Sequence, residues 1–339
     1  MSADKLKVGV IGIGGLAKST HLPAIHEIEG IEIVALCDLI EERATAQAEK
    51  YGVAKTYVLC DEMLEKETLD AVFVLVEPCS LFHVVRRCLS KGIPAFMEKP
   101  PGITSYQCQS LARLSREKGV PLQVGFNRRY IPLVQKVLDF FHATTEITQI
   151  EGRFMKCGSA AFDRGGLKSL ESDVIHCIDL VRYIAAAEPA AAATVDGWTN
   201  DVCVNRWNSV LRFENGVTGV IQSNYQTGGR THTFEIHGPG ASAFINLGTG
   251  ERGCDATILT TKGKMGYSLA SKGPGATVIE KIDGMALAGS QEFHRYYGFY
   301  QEDNAFIQAV RDRKPVWPDI HDAVKTYAMI DLMERNILA

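Results

Sequence analysis

The sequence contains no C-x-x-C pair, no block of five like charges and no apolar run approaching the roughly 18 residues that span a bilayer. Each absence removes a class. Nine cysteines, scattered from Cys37 to Cys254, offer no zinc-ribbon spacing and no evident disulfide framework, so they read as reduced thiols of a cytoplasmic protein. A net charge of −4, from 36 basic against 40 acidic residues, leaves no footprint for nucleic acid or an anionic membrane. The apolar stretch 8–13 behind Lys5 and Lys7 is short, is broken by Gly9 and Gly12, and lacks a signal-peptide cleavage site. G-x-S-x-G, H-E-x-x-H and P-loop motifs are missing too, so nucleophilic hydrolases and metalloproteases have no support. What is present is ordinary globular composition, 46% hydrophobic over 339 residues, enough for two domains.

The first half alternates short apolar runs with helical patterns at intervals of about 30 residues. Runs at 7–11, 32–36, 71–76, 95–97 and 122–126 read as strands, with helices at 17–28 (interrupted near Pro23), 41–51, 81–89 and 104–117. This order predicts a doubly wound parallel sheet of Rossmann type. From about residue 148 the pattern changes. One strong helix at 170–187 precedes alternating strands at 208–213, 217–224, 231–237 and 243–247, the first two joined by Glu214-Asn215-Gly216 in hairpin chemistry. The stretch 248–289 holds nine glycines and predicts loops or frayed edge strands, and two helices, 299–311 and 322–337, close the chain. The alanine cluster 185–193 around Pro189 overlaps the end of the helix 170–187, and its part beyond 187 receives no element. The fold class is therefore α/β: a Rossmann domain over 1–125, then an α+β domain over 126–339 with an open, mainly antiparallel sheet. Whether the last helix packs back on the first domain stays open.

Gly12-Ile13-Gly14-Gly15-Leu16-Ala17 is G-x-G-x-x-A, placed directly after the first strand. The first glycine permits the turn, the second lets backbone approach a pyrophosphate, and Ala17 lets helix and strand pack closely. Asp38, 24 residues after Gly14, ends the second strand, where a carboxylate accepts from a ribose 2′-hydroxyl and repels a 2′-phosphate. The cofactor is accordingly NAD rather than NADP. Glu98-Lys99-Pro100 follows the short strand 95–97 at the carboxyl edge of the sheet. Pro100 bars Lys99 from helical dihedrals, but spacing alone reads Lys99 as a solvated lysine before a turn. Ser172, Asp173, His176 and Asp179 fall on one stripe of the helix 170–187; a histidine and carboxylate there suit acid–base work, or equally a buried histidine satisfied by its neighbours. Arg128 and Arg129 read as substrate contacts or as a solvated pair. The other histidines, His21 among them, show no comparable pattern.

With these residues assembled, the sequence resembles the Gfo/Idh/MocA family of NAD(P)-dependent oxidoreductases. The resemblance rests on VGVIGIGGLA with His21-Leu22-Pro23, Cys37-Asp38, Glu77-Pro78, Phe82-His83, GIPAFMEKP, VGFNRRY, VIHCIDLVRY, EIHGPGASAFIN and the closing helices. It implies hydride transfer between nicotinamide and a secondary alcohol or ketone of a sugar, cyclitol or polyol, without metal. Lys99 and His176 match the catalytic lysine and the acid–base histidine. Gly12, Gly14, Gly15, Leu16, Ala17, Asp38, Pro78, His83 and Glu98 are the implied cofactor contacts, and Asn127, Arg128 and Ser172 the implied substrate contacts. The family's aspartate four residues before the histidine is Ser172 here, while Asp173 lies three before; on an α-helix this turns the carboxylate by about 100°. Asp173 is the third catalytic candidate on that basis. The resemblance also implies a homodimer or homotetramer formed through the C-terminal sheet. It leaves two other classes open, a non-catalytic NAD-binding regulator and an NAD-retaining glycosidase.

Overall fold

The β-branched and aromatic runs of the first half form six parallel strands: β1 (Leu6–Ile11), β2 (Ile31–Cys37), β3 (Lys55–Tyr57), β4 (Ala71–Val74), β5 (Ala95–Glu98) and β6 (Leu122–Gly125). The computed structural model describes residues 5–158, 167–248, 253–261 and 276–338. The strand order is β3-β2-β1-β4-β5-β6, the doubly wound arrangement expected. Every residue of β4, β5 and β6 is buried, as a sheet covered on both faces requires.

The chain forms two compact units. One holds the residues up to Tyr130 together with Phe293–Tyr327; the other holds most of 131–292 and the chain from 328 on. The return of Phe293–Tyr327 to the first unit departs from a second domain running unbroken over 126–339. Its cause is apolar: Phe306 and Ile307, fully buried on the helix Phe299–Asp312, join Val8, Val10, Leu36, Phe73 and Phe96 in one core. The ring of Phe306 meets Phe73 edge to face at 5.3 Å.

The second unit is built on a mixed, mostly antiparallel sheet of β7 (Gln149–Cys157), β8 (Pro189–Gly197), β9 (Arg206–Phe213), β10 (Thr218–Asn224), β11 (Gln226–Gly238), β12 (Ala241–Asn246), β13 (Asp255–Thr261) and β14 (Ala276–Asp283). Their order is β14-β13-β12-β11-β7-β10-β9-β8, and β7 pairs with β10 in parallel. β9 and β10 alternate buried and exposed residues, and the hairpin at 214–216 joins them with Gly216 at φ +89°. The helix Ile175–Ala185 lies close on β7. A Cβ on Gly152 would come within 2.7 Å of the Cys177 sulfur and 2.9 Å of Val181. The part of the alanine cluster beyond 187, given no element from sequence, supplies β8; it pairs with β9, and Thr194 also bonds to Asn336 and Leu338 near the chain's end. Of the glycine-rich stretch, the described part forms β13 and β14; 249–252 and 262–275 lie outside the described residues. All nine cysteines are thiols, and no described helix is long and apolar enough to cross a membrane.

Candidate functional site

In the first unit the parallel sheet gathers the predicted groups at its carboxyl edge. Gly12 follows β1, with φ +93°, and a Cβ there would stand 2.7 Å from the backbone of Leu75, so only glycine fits. Gly14 and Gly15 have open space where a Cβ would be, which leaves their backbone accessible to a phosphate. Ala17 is buried and Leu16 is partly exposed above the loop. Asp38 both closes and stiffens this cradle: its Oδ2 accepts from Ile13 N–H at 2.7 Å and its Oδ1 from Ile40 N–H at 2.8 Å. The donor-rich, uncrowded loop fits a dinucleotide pyrophosphate. Gly12→Ala is expected to destabilise the protein by about 2–4 kcal/mol, through the clash and the positive φ, and to weaken NAD binding; urea unfolding and NADH fluorescence titration measure the two effects.

Pro78 opens the helix Pro78–Ser90 behind Glu77, and it sits at the same edge. His83, more than one turn further on, is exposed and borders a cavity of about 310 Å³ with Asp61, Arg87 and Lys91. Glu98 is buried, its Oε2 accepting the backbone N–H of Lys99 at 3.2 Å. Lys99 itself is half-buried, after β5, and precedes a cis proline. Asn127 and Arg128 are buried rather than solvated. Asn127 donates to the Tyr297 carbonyl at 2.9 Å and accepts from Arg128 at 2.8 Å, while the Arg128 guanidinium lies over the Tyr297 ring. Arg129 is buried against Asp322 at 2.6 Å, which corrects the reading of this pair as a solvated one.

Three groups that sequence reasoning passed over stand behind Lys99. His21, fully buried, places Nδ1 3.0 Å from Asp303 and Nε2 3.0 Å from Glu98. Burial alone would lower its pKa; the Asp303 and Glu98 carboxylates outweigh that and raise it to about 10. Glu302 is fully buried beside them. Burial, with Glu98 and Asp303 adding, pushes its carboxyl well above the ordinary range.

In the second unit the helix carrying His176 is not uniformly α. Leu170–Val174 is a π turn, and the α-helix begins at Ile175. A π turn bonds i to i+5, so the α spacing that aligned Ser172 and Asp173 with His176 holds only from Ile175 onward. Ser172 and His176 are buried. Asp173 Oδ2 accepts from Lys156 Nζ at 2.5 Å and from the Tyr225 hydroxyl at 2.9 Å. Burial and then Asp173 raise the Tyr225 pKa, so that phenol stays protonated. Neither Lys156, near the end of β7, nor Tyr225, between β10 and β11, carries a sequence signal that singles it out. Next to Asp173, Glu171 has a carboxyl that burial pushes up to about 7. A folded-state pKa raised above the unfolded value costs stability as pH rises from about 4.5 to 7. Glu171→Gln is therefore expected to stabilise by roughly 1–2 kcal/mol at pH 8 and by little at pH 4, as urea unfolding at both values would show. Among the described residues, Glu151, Glu235 and His237 have metal-ligand spacing, but Arg153 already bridges the two glutamates at 2.9 and 2.6 Å.

Residues 6–126 match the family described as "Oxidoreductase family, NAD-binding Rossmann fold" (GFO_IDH_MocA). The chain is 28% identical to D-apiose dehydrogenase of Paraburkholderia graminis, over 66% of this chain and 62% of that protein. It is 31% identical to inositol 2-dehydrogenase of Salmonella typhimurium, over 37% of this chain and 38% of that protein. It thus spans less than two thirds of either relative. Among solved structures, a dehydrogenase from Chromobacterium violaceum shares the fold with a TM-score of 0.84 at 21% identity, covering 98% of this chain and 95% of that one. An oxidoreductase from Agrobacterium radiobacter, solved with NAD+, L-tartaric acid and magnesium, has a TM-score of 0.79 at 19% identity, covering 98% and 96%. The glycine loop and the Glu98-Lys99-Pro100 strand end both lie within residues 6–126, the part of the chain that matches the Gfo/Idh/MocA model of an NAD-binding Rossmann fold.

Proposed function

We propose that this protein is an NAD-dependent dehydrogenase acting on a secondary alcohol, or the corresponding ketone, of a sugar, cyclitol or related polyol. The observation that carries this reading is one sheet edge: the open glycine loop after β1, Asp38 after β2 and Lys99 after β5 stand on it together. The loop amides from Gly14 to Ala17 would hold the pyrophosphate, and Asp38 the ribose. Leu39 and Ile40, which follow Asp38, are 79% and 44% exposed. A 2′-phosphate there would meet a carboxylate and two apolar side chains, which supports NAD over NADP. The nicotinamide, when bound, supplies the hydride acceptor. His176 takes the proton of the substrate hydroxyl, and the Lys99 ammonium stabilises the developing alkoxide by hydrogen bonding. Asp173 holds Lys156 and Tyr225 as groups able to bind further hydroxyls of a polyol. Nine cysteines, none in a disulfide, support a cytoplasmic location, and assembly into a homodimer or homotetramer through the eight-stranded sheet belongs to the same reading.

The test is an absorbance screen at the NADH band, with NAD and NADP each against D-apiose, myo-inositol and a wider set of sugars and polyols. Reduction of NAD by at least one of them is the expected result. Tight NAD binding with no turnover would instead assign a non-catalytic nucleotide-binding role, and aglycone release from a glycoside without net NADH would assign a glycosidase.

A further inference from the structure

The turn that follows the glycine loop carries His21, a partner of the same Glu98 carboxylate that accepts the Lys99 backbone N–H. His21 ends the π turn Ala17–His21 and is fully buried, its ring edge-on to Phe96 at 5.5 Å and Phe299 at 5.3 Å. Nδ1 stands 3.1 and 3.0 Å from the two oxygens of Asp303, and Nε2 stands 3.0 Å from Glu98 Oε1. The other oxygen of Glu98 accepts the backbone N–H of Lys99 at 3.2 Å. A neutral imidazole has one N–H and can donate to one carboxylate; an imidazolium donates to both, and its raised pKa of about 10 favours that form. Glu302 and Arg128 also act on this cluster, and His294 on Asp303.

We infer that His21 is a positioning residue for Lys99: it pins the Glu98 carboxylate, and Glu98 fixes the backbone from which the Lys99 ammonium projects. The inference rests on the reading of Lys99 as the group that acts on the alkoxide. A buried ion pair that only held the helix Phe299–Asp312 in place would not need its second carboxylate to be bonded to the Lys99 backbone. The serial connection Asp303–His21–Glu98–Lys99 is what assigns the role. Misplacing a reacting group by about 1 Å can cost on the order of a hundred-fold in rate, so small freedom at Glu98 matters.

The experiment labels the protein with pyridoxal 5′-phosphate and borohydride, with and without saturating NAD, and quantifies modification of Lys99 by peptide mass spectrometry. In the wild type, NAD is expected to slow Lys99 labelling by about ten-fold or more, as its place beside the nicotinamide requires. His21→Gln removes the second donor, and Asp303→Asn removes the charge that holds the imidazolium. In either variant, NAD affinity is expected to stay within about three-fold of wild type while the protection of Lys99 falls below about three-fold. Both readings lower the melting temperature; a merely structural role would lower NAD affinity with it and leave protection of the bound fraction intact. Full protection in whichever of the two variants folds and binds NAD overturns the inference. If the wild-type lysine is not protected, the reading of Lys99 falls and takes the inference with it. Protection in wild type and variants alike sinks only the role of His21.

Discussion

Replacing Lys99 by methionine is expected to lower turnover by about a thousand-fold or more, while NAD affinity stays within a few-fold of wild type. A thousand-fold corresponds to about 4 kcal/mol of transition-state stabilisation, the size expected when one charged donor to a developing alkoxide is removed. Methionine is unbranched and keeps the apolar length of the half-buried lysine stem, so the change removes the ammonium more than the packing. NAD affinity should survive because the cradle is assembled elsewhere, from Gly12 and Ile13 after β1 and from Asp38 after β2. Lys99→Arg should be nearly as slow: the charge remains, but a larger planar head cannot take the ammonium's place. NADH absorbance on the polyol found by the screen measures kcat, and NADH fluorescence titration measures affinity. Retained turnover would remove Lys99 from the mechanism. Lost affinity would place it in the cofactor site instead.

What could be read from the sequence was local chemistry at strand ends. The run ending in Gly12, the carboxylate at Asp38 and the lysine before Pro100 each sit one or two residues beyond an apolar strand, and a parallel sheet brings all such ends to one edge. What could not be read depends on contacts far apart in the chain. The carboxylate partners of His21 lie 77 and 282 residues away, so no spacing rule could join them. Phe306 returns across the chain to Phe73 for the same reason. The two π turns, Ala17–His21 and Leu170–Val174, were invisible because a wide turn has no periodicity of its own over five residues. Pro23 signals an irregular helix, but the irregularity lies before it, where Leu22 N–H bonds back to Ala17. The alanines of β8 favour no strand intrinsically; pairing with β9 decides their conformation. The wide turns carry His21, which sequence reasoning passed over, and Asp173, which it singled out on an α spacing that the π turn does not keep.

Asp303→Asn is expected to destabilise the protein by about 3 kcal/mol at pH 7, with the gap from wild type closing to about 1 kcal/mol or less near pH 10. The imidazolium of His21 is fully buried between two carboxylates, and removing Asp303 takes away one of the two charges, each at 3.0 Å, that offset its desolvation. The sign follows from the direction of the shift. His21 is raised from 6.5 to about 10 in the folded state, so the folded chain holds a proton that the unfolded chain releases above neutrality. The resulting stabilisation is complete below pH 6.5 and is lost as pH rises through about 10. Asparagine keeps the shape and one hydrogen bond but cannot hold the charge, so the variant has little of this stabilisation to lose. Lysines and tyrosines that titrate near pH 10 are common to both proteins and cancel in the difference. Urea unfolding of the two proteins between pH 6 and 10 gives the gap directly. A gap that does not change with pH would mean that His21 is not an imidazolium in the folded protein, and the hydrogen bonds to Asp303 and Glu98 could not both be made from it.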